Sequence, residues 1–241
     1  MVPAVSWTPT DEVLALGDDH KITRWDAGGV LQGELGTVDT AITDAHWFPS
    51  VGGAAADVFV VSCTDGTFRI MSKTGREEKK VDAHHGAVVA LRWNYDGSAL
   101  ATGGEDGEVK VWSRSGMLRS RIAQHGASVY AVCWGPDNDH VLAATGNHLV
   151  IKSVQSDRKQ VQWKAHDGVI MGADWSPVTG LIVSCAEDCT YRVWDALGRQ
   201  LYRSAPLEHV VTSVAWAPNG RHFAVGSFNE LRMCDKTGWM Y

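Results

Sequence analysis

Ser184, His166 and Asp188 are the residue types of a hydrolytic triad: a hydroxyl to attack, an imidazole to take its proton, and a carboxylate to orient the imidazole. Thr102, His84 and Asp106 supply the same three roles again. A catalytic triad is needed once, whereas a structural relay is needed in every repeat. Neither set carries the Gly-x-Ser-x-Gly elbow that exposes a nucleophile. The duplication therefore predicts two buried polar relays, closed by Trp112 and Trp194, in which each polar group finds a partner. No catalytic residue is assigned.

Other chemistry fares no better. Cys185-Ala-Glu-Asp-Cys189 is half of a zinc pattern, but no second Cys/His pair stands at ligand spacing. The pair reads as ordinary thiols bracketing a strand-to-strand turn. Gly52-Gly53 and Gly103-Gly-Glu-Asp-Gly107 match neither a P-loop nor a dinucleotide fingerprint, and no helix follows them. The sequence thus predicts no metal and no cofactor. A net charge of −6 without a basic stripe excludes nucleic acid as the main partner. No apolar run approaches a membrane span, and Met1-Val-Pro-Ala-Val-Ser-Trp7 is not a signal peptide. Five cysteines without paired spacing point to a reducing, intracellular compartment.

What positions these residues is a repeat. Trp47, Trp93, Trp134, Trp175 and Trp216 close the same short phrase, the last four at intervals of 41, and Trp7 precedes Trp47 by 40. The longer interval from Trp47 to Trp93 contains an insertion, Val51-Gly-Gly-Ala-Ala-Ala-Asp57. A period near forty built of strand-like phrases is the signature of a β-propeller. Eleven tryptophans then read as large core fillers, buried once per unit.

The third unit shows the pattern. Strand one is Val88–Trp93, strand two Ala99–Thr102, strand three Glu108–Trp112 and strand four Met117–Ala123, joined by Gly/Asp turns. The turn after strand three ends in Gly29, Gly75, Gly116, Gly198 and Gly238 in the successive units that keep it. Six three-strand units and five fourth strands follow. The expectation is an all-β propeller over residues 1–241, with six blades visible and the ring open because neither a closing strand nor a last blade is seen. Blade four keeps His125 but has Ala143 and Asn147, blade six has His209, Val225, Asn229 and Cys234, and blade two has Asp65 with Met71 in place of the tryptophan. These three should be the less rigid blades.

The remaining candidate is surface. One face gathers the His-bearing loops and the strand-two-to-three turns, with Asp18, Asp19, Glu105, Asp167, Glu187 and Glu208 exposed on it. A solvated rim is one reading. The other is an acidic face that docks a basic partner, with association slowed by salt.

Ile22-Thr-Arg-Trp-Asp26 and Tyr191-Arg-Val-Trp-Asp195 end strand three in the Trp-Asp pair of the WD40 family, which the whole chain resembles. Longer segments are similar to the first propeller of the intraflagellar transport protein 80 family, WD-repeat subunits of complex B. They are Arg92-Trp-Asn-Tyr-Asp-Gly97, Gly104-Glu-Asp-Gly-Glu-Val-Lys-Val-Trp-Ser113, Gly116-Met-Leu-Arg-Ser120, Gln162-Trp-Lys-Ala-His-Asp-Gly168, Thr212-Ser-Val-Ala-Trp-Ala-Pro218, Ala224-Val-Gly-Ser-Phe228, Cys234-Asp-Lys-Thr-Gly-Trp239 and His46-Trp-Phe-Pro49. The resemblance implies a non-enzymatic scaffold of cilium and flagellum assembly, working in the cytoplasm, the cilium and the ciliary base. Its implied partners are other complex B subunits, including one engaged through a calponin-homology domain. It also implies a seventh blade, a second propeller and a helical C-terminal part beyond residue 241; against that pattern the six blades are an open arc of a seven-blade set, and burial of its uncovered blade faces would drive self-association. The alternative is a WD40 adaptor of another cytosolic complex, such as a ubiquitin-ligase adaptor or a peptide-tail reader.

Overall fold

A computed structural model describes residues 4–8, 10–17, 19–49, 58–155 and 159–240. The insertion Val51–Asp57 and Asp18 lie outside the described residues. Two compact units divide the chain at residues 121 and 122. No helix is long and apolar enough to cross a membrane among the described residues.

In the first unit, β1 (Ala4–Trp7), β2 (Val13–Leu16), β3 (Lys21–Trp25) and β4 (Leu31–Thr37) make the first sheet. The second sheet is β5 (Ile42–Trp47), β6 (Val58–Cys63), β7 (Thr67–Ser72) and β8 (Glu77–Asp82). The third is β9 (Val88–Trp93), β10 (Ala99–Gly104), β11 (Glu108–Ser113) and β12 (Leu118–Gln124). In the second unit, β13 (Val129–Trp134), β14 (His140–Thr145), β15 (His148–Ser153) and β16 (Val161–Lys164) make the fourth sheet. The fifth is β17 (Ile170–Trp175), β18 (Ile182–Ala186), β19 (Tyr191–Trp194) and β20 (Gln200–Arg203), and the sixth is β21 (Val211–Trp216), β22 (His222–Ser227) and β23 (Glu230–Asp235). Each sheet is a meander in chain order, the form of a β-propeller blade, with three blades in each unit. The strand boundaries expected for the third blade shift by two residues at most: β10 runs on through Gly104, and β12 starts one residue later.

Burial explains the sequence pattern. The second strands of the second to fifth blades are covered on both faces, β10 and β18 along their whole length, whereas β2 and β22 alternate between buried and partly exposed residues. The fourth strands are mostly exposed and carry the charges of Glu77-Glu-Lys-Lys80 and Arg119-Ser-Arg121. The first strands of the second to sixth blades each carry a one-residue register shift near their start. Such bulges twist a strand and re-aim its side chains.

Trp47, Trp93, Trp134, Trp175 and Trp216 are buried in the blade cores. Burial once per unit fails elsewhere: Trp7 is 62% and Trp239 67% exposed. Trp7 falls on the exposed phase of β1, whose side chains alternate between partly covered and exposed.

The glycine that ends the turn after strand three has a specific neighbour. Gly198 has φ +82°, and a Cβ there would meet the Trp163 ring of the fourth blade at 2.8 Å. Gly75 stands in the same way against Leu35, Gly116 against Val81, and Gly238 against Tyr202. A side chain is thus excluded twice, by the left-handed backbone and by the outer strand of the preceding blade. That contact stacks one sheet on the next at the outer rim.

Candidate functional site

The two triad-like sets are assembled at equivalent places, each within one unit. His84 lies in the loop before β9, Thr102 on β10, Asp106 in the β10–β11 turn and Trp112 on β11. The Trp112 indole N–H donates to Thr102 Oγ1 at 2.9 Å, and Thr102 Oγ1 stands 2.8 Å from His84 Nε2. His84 Nδ1 is 2.9 Å from Asp106 Oδ1, and Asp106 Oδ2 accepts from the His85 backbone N–H. The second set repeats this: Trp194 to Ser184 at 2.9 Å, Ser184 to His166 Nε2 at 2.8 Å, and His166 Nδ1 to Asp188 at 3.0 Å.

The donors fix the proton positions. An indole N–H can only donate, so the hydroxyl accepts from it and gives its own proton to Nε2. Nε2 is then bare, Nδ1 carries the proton, and Nδ1–H donates to the carboxylate. This is the polarity of a catalytic triad, but the hydroxyl is committed on both sides. Thr102, Ser184 and His166 are all 0% exposed. No substrate carbonyl reaches such an oxygen without unfolding the blade.

Electrostatics agree with a neutral imidazole. Burial is the largest influence on His84 and on His166 and holds both below the ordinary histidine value, with the adjoining carboxylates opposing it. Burial works against the Asp188 charge, yet the Asp167 N–H, the Thr190 hydroxyl and His166 hold its carboxyl down at about 2. Arg192 adds a 3.0 Å contact to Asp188 Oδ2. In blade two, Arg69 is buried against Asp39, Asp65 and Glu77 at the equivalent place. In blade four, His125 Nε2 has no hydrogen-bond partner, and burial followed by Lys152 lowers its pKa.

The residues expected on an acidic face fall in both units, Asp19 and Glu105 in the first and Asp167, Glu187 and Glu208 in the second. Asp19, Glu105, Asp167, Glu187 and Glu208 are exposed, and Asp18 is outside the described residues. Glu105 Oε2 accepts from the Ala87 N–H at 2.9 Å, and Glu187 Oε2 accepts from the Val169 N–H at 3.2 Å. These two carboxylates clamp the loop that enters their own blade. Asp167 faces Lys164 at 2.9 Å and Arg192 at 3.5 Å. Asp19 Oδ1 takes the Lys21 N–H at 3.2 Å.

Sequence reading missed a third group, which ties neighbouring blades through their first strands. His46 Nδ1 accepts from the Trp93 N–H at 3.2 Å, and Asp174 Oδ2 accepts from the Trp216 N–H at 2.6 Å. Cys133 Sγ donates to Ala173 O at 3.0 Å. All three immediately precede the tryptophan that closes strand one. Asp44 adds a bond from the Leu91 N–H and an ion pair with Arg92. The half-buried His46 is pushed down to about 3 by burial and by Arg92, as an acceptor at Nδ1 should be.

These histidines set an acid limit. The unfolded chain takes up protons near pH 6.5, while folded His46, His84 and His166 do not. Stability is therefore complete above about pH 6.5 and falls as the pH drops toward the folded values. Asp188, lowered too, adds a second loss below about pH 4. Thermal melts between pH 7.5 and 3 check this; a melting temperature unchanged from pH 7 to pH 4.5 would contradict it.

Residues 75–113, 116–151, 157–195 and 202–236 match the family described as WD domain, G-beta repeat, and the chain belongs to that family. Each match starts near a fourth strand and ends at the third strand of the next sheet, so the sequence repeat bridges two blades. The chain is 52% identical over 250 aligned positions to "Intraflagellar transport protein 80 homolog" of Rattus norvegicus, and equally to that of Mus musculus. The alignment covers all of this chain and 32% of each relative, so the chain spans about a third of their length. "Actin-related protein 2/3 complex subunit 1" of Saccharomyces cerevisiae is 41% identical over 68 residues, 27% of this chain and 17% of that protein.

Proposed function

We propose that the chain is a non-catalytic interaction platform of intraflagellar transport, serving cilium and flagellum assembly as a subunit of complex B. The observation that carries this is the 52% identity along the whole chain to the intraflagellar transport protein 80 homologues. The partial match to the actin-related complex subunit covers 27% of the chain and reflects the blade pattern that WD repeats share. The partners are other complex B subunits, among them one with a calponin-homology domain, at the cilium and its base.

The relays are structural on this reading. Burial of both hydroxyls supports it, as does their commitment to an indole on one side and an imidazole on the other. They hold the loops that frame the acidic face, and that face docks a basic surface of the partner. Because Glu105, Glu187 and Asp19 also hold backbone N–H groups of their loops, the informative charge is Glu208.

Glu208→Lys should weaken binding to purified complex B subunits severalfold at low salt, and the difference should shrink at high salt. Surface plasmon resonance across a salt series reads this. Equal affinity of variant and parent at every salt concentration would sink the acidic-face reading.

A further inference from the structure

A groove of about 480 Å³ opens in the second unit, lined by Thr179, Leu181, Leu201, Lys236 and Thr237. Thr179 and Leu181 come from the β17–β18 turn, Leu201 from β20, and Lys236 and Thr237 from the turn after β23. It lies at the strand-one-to-two and strand-three-to-four turns, the opposite blade end from the His-bearing loops.

Its walls are built firmly. Asp235 Oδ1 accepts from the Thr237 N–H and hydroxyl and from the Trp239 N–H, fixing the far turn. Lys236 N–H donates to Arg221 O at 2.9 Å, and the Trp239 ring stands 5.7 Å from that of Tyr202. On the near side, the Gly220 turn packs on Val178 and Thr179.

The surroundings are apolar where water would be expected. Leu201 is 47% exposed, Val178, next to Thr179 in sequence, is 63% exposed, and Trp239, two residues after Thr237, is 67% exposed. Scattered exposed apolar residues are ordinary, but several around one concavity mark a contact site. Lys236 and Arg221 are both exposed, and neither forms an ion pair among the described residues. The nearby carboxylate of Asp235 is engaged by its own turn.

We propose that this groove docks an acidic peptide segment, seating one apolar side chain against Leu181 and Leu201 while flanking carboxylates pair with Lys236 and Arg221. The volume suits a side chain or two of an extended peptide. The charge is complementary to acid in a protein that is acidic overall.

The test is fluorescence anisotropy of the 241-residue chain with a labelled decapeptide of alternating glutamate and leucine. Decapeptides of lysine with leucine and of glutamate with serine serve as controls. The glutamate-leucine peptide should bind and the two controls should not. Leu201→Ser, and Lys236→Glu with Arg221→Glu, should each weaken binding at least tenfold with an unchanged melting temperature. Arg76→Glu, exposed in the first unit, should leave binding unaltered. No binding of the glutamate-leucine peptide, equal binding of all three peptides, or equal weakening by Arg76→Glu would overturn the proposal.

Discussion

Asp188→Ala should lower stability by about 3–5 kcal/mol, or roughly 6–20 °C in melting temperature. The carboxylate accepts from His166, from the Asp167 and Thr190 backbone N–H groups and from the Thr190 hydroxyl, and it faces Arg192. Alanine leaves the buried His166 N–H without its carboxylate acceptor and the buried Arg192 guanidinium with only the exposed carboxylate of Asp167 at 3.5 Å, so most of the cost of removing one partner of a buried pair is incurred. Ser184→Ala should destabilise as well, by about 1–3 kcal/mol for each group left unpaired, namely the Trp194 N–H and His166 Nε2. The contrast separates the two meanings of the triad geometry. A hydrolytic serine could be removed without touching the melt, whereas a relay hydroxyl could not. Circular dichroism melts of both variants decide between them, and an unchanged Ser184→Ala melt would contradict the relay.

Gly66→Ala is the second large effect, expected at about 2–5 kcal/mol. Gly66 sits at φ +83°, and a Cβ there would run into the backbone carbonyl oxygen of His84 and come within 2.9 Å of that of Gly86. Its own carbonyl accepts from the Ala83 and His84 N–H groups at 3.0 and 2.9 Å. Backbone walls cannot swing aside as a side chain can, so strain and overpacking add. Gly180→Ala, at φ +68° with nothing within 4 Å, should show the conformational cost alone. Comparable melts for the two variants would argue against the close backbone packing in the β6–β7 turn.

The parts legible in the sequence share a physical cause: local repetition. A tryptophan at the end of each first strand and a glycine in five of the six turns after strand three recur because the blades solve the same packing problem, which makes strand order and sheet membership readable. The relay was readable for the same reason, since its four members keep fixed offsets within one repeat. Glu105 and Glu187 were visible as charges but not as clamps, because a carboxylate looks alike whether it points to water or to a loop N–H. His46, Cys133 and Asp174 were missed because their partners lie about one repeat away, on the neighbouring sheet. A signal was present: the residue before the strand-one tryptophan is His46, Arg92, Cys133 or Asp174 in four successive blades, polar or sulfur-bearing inside an otherwise apolar phrase. The groove at Leu201 and Lys236 left no trace at all, since it is made by three turns and strands with no common offset.

Function rests on a different footing from fold, because the chain matches about a third of the length of its relatives. Crosslinking mass spectrometry of the protein isolated from ciliated cells tests the transport reading most directly. The account predicts crosslinks from this chain to complex B subunits, with Lys21, two residues from Asp19, and Lys164, paired with Asp167, among the reacting positions. Crosslinks confined to a ubiquitin-ligase or another cytosolic complex would leave the propeller intact and contradict the function.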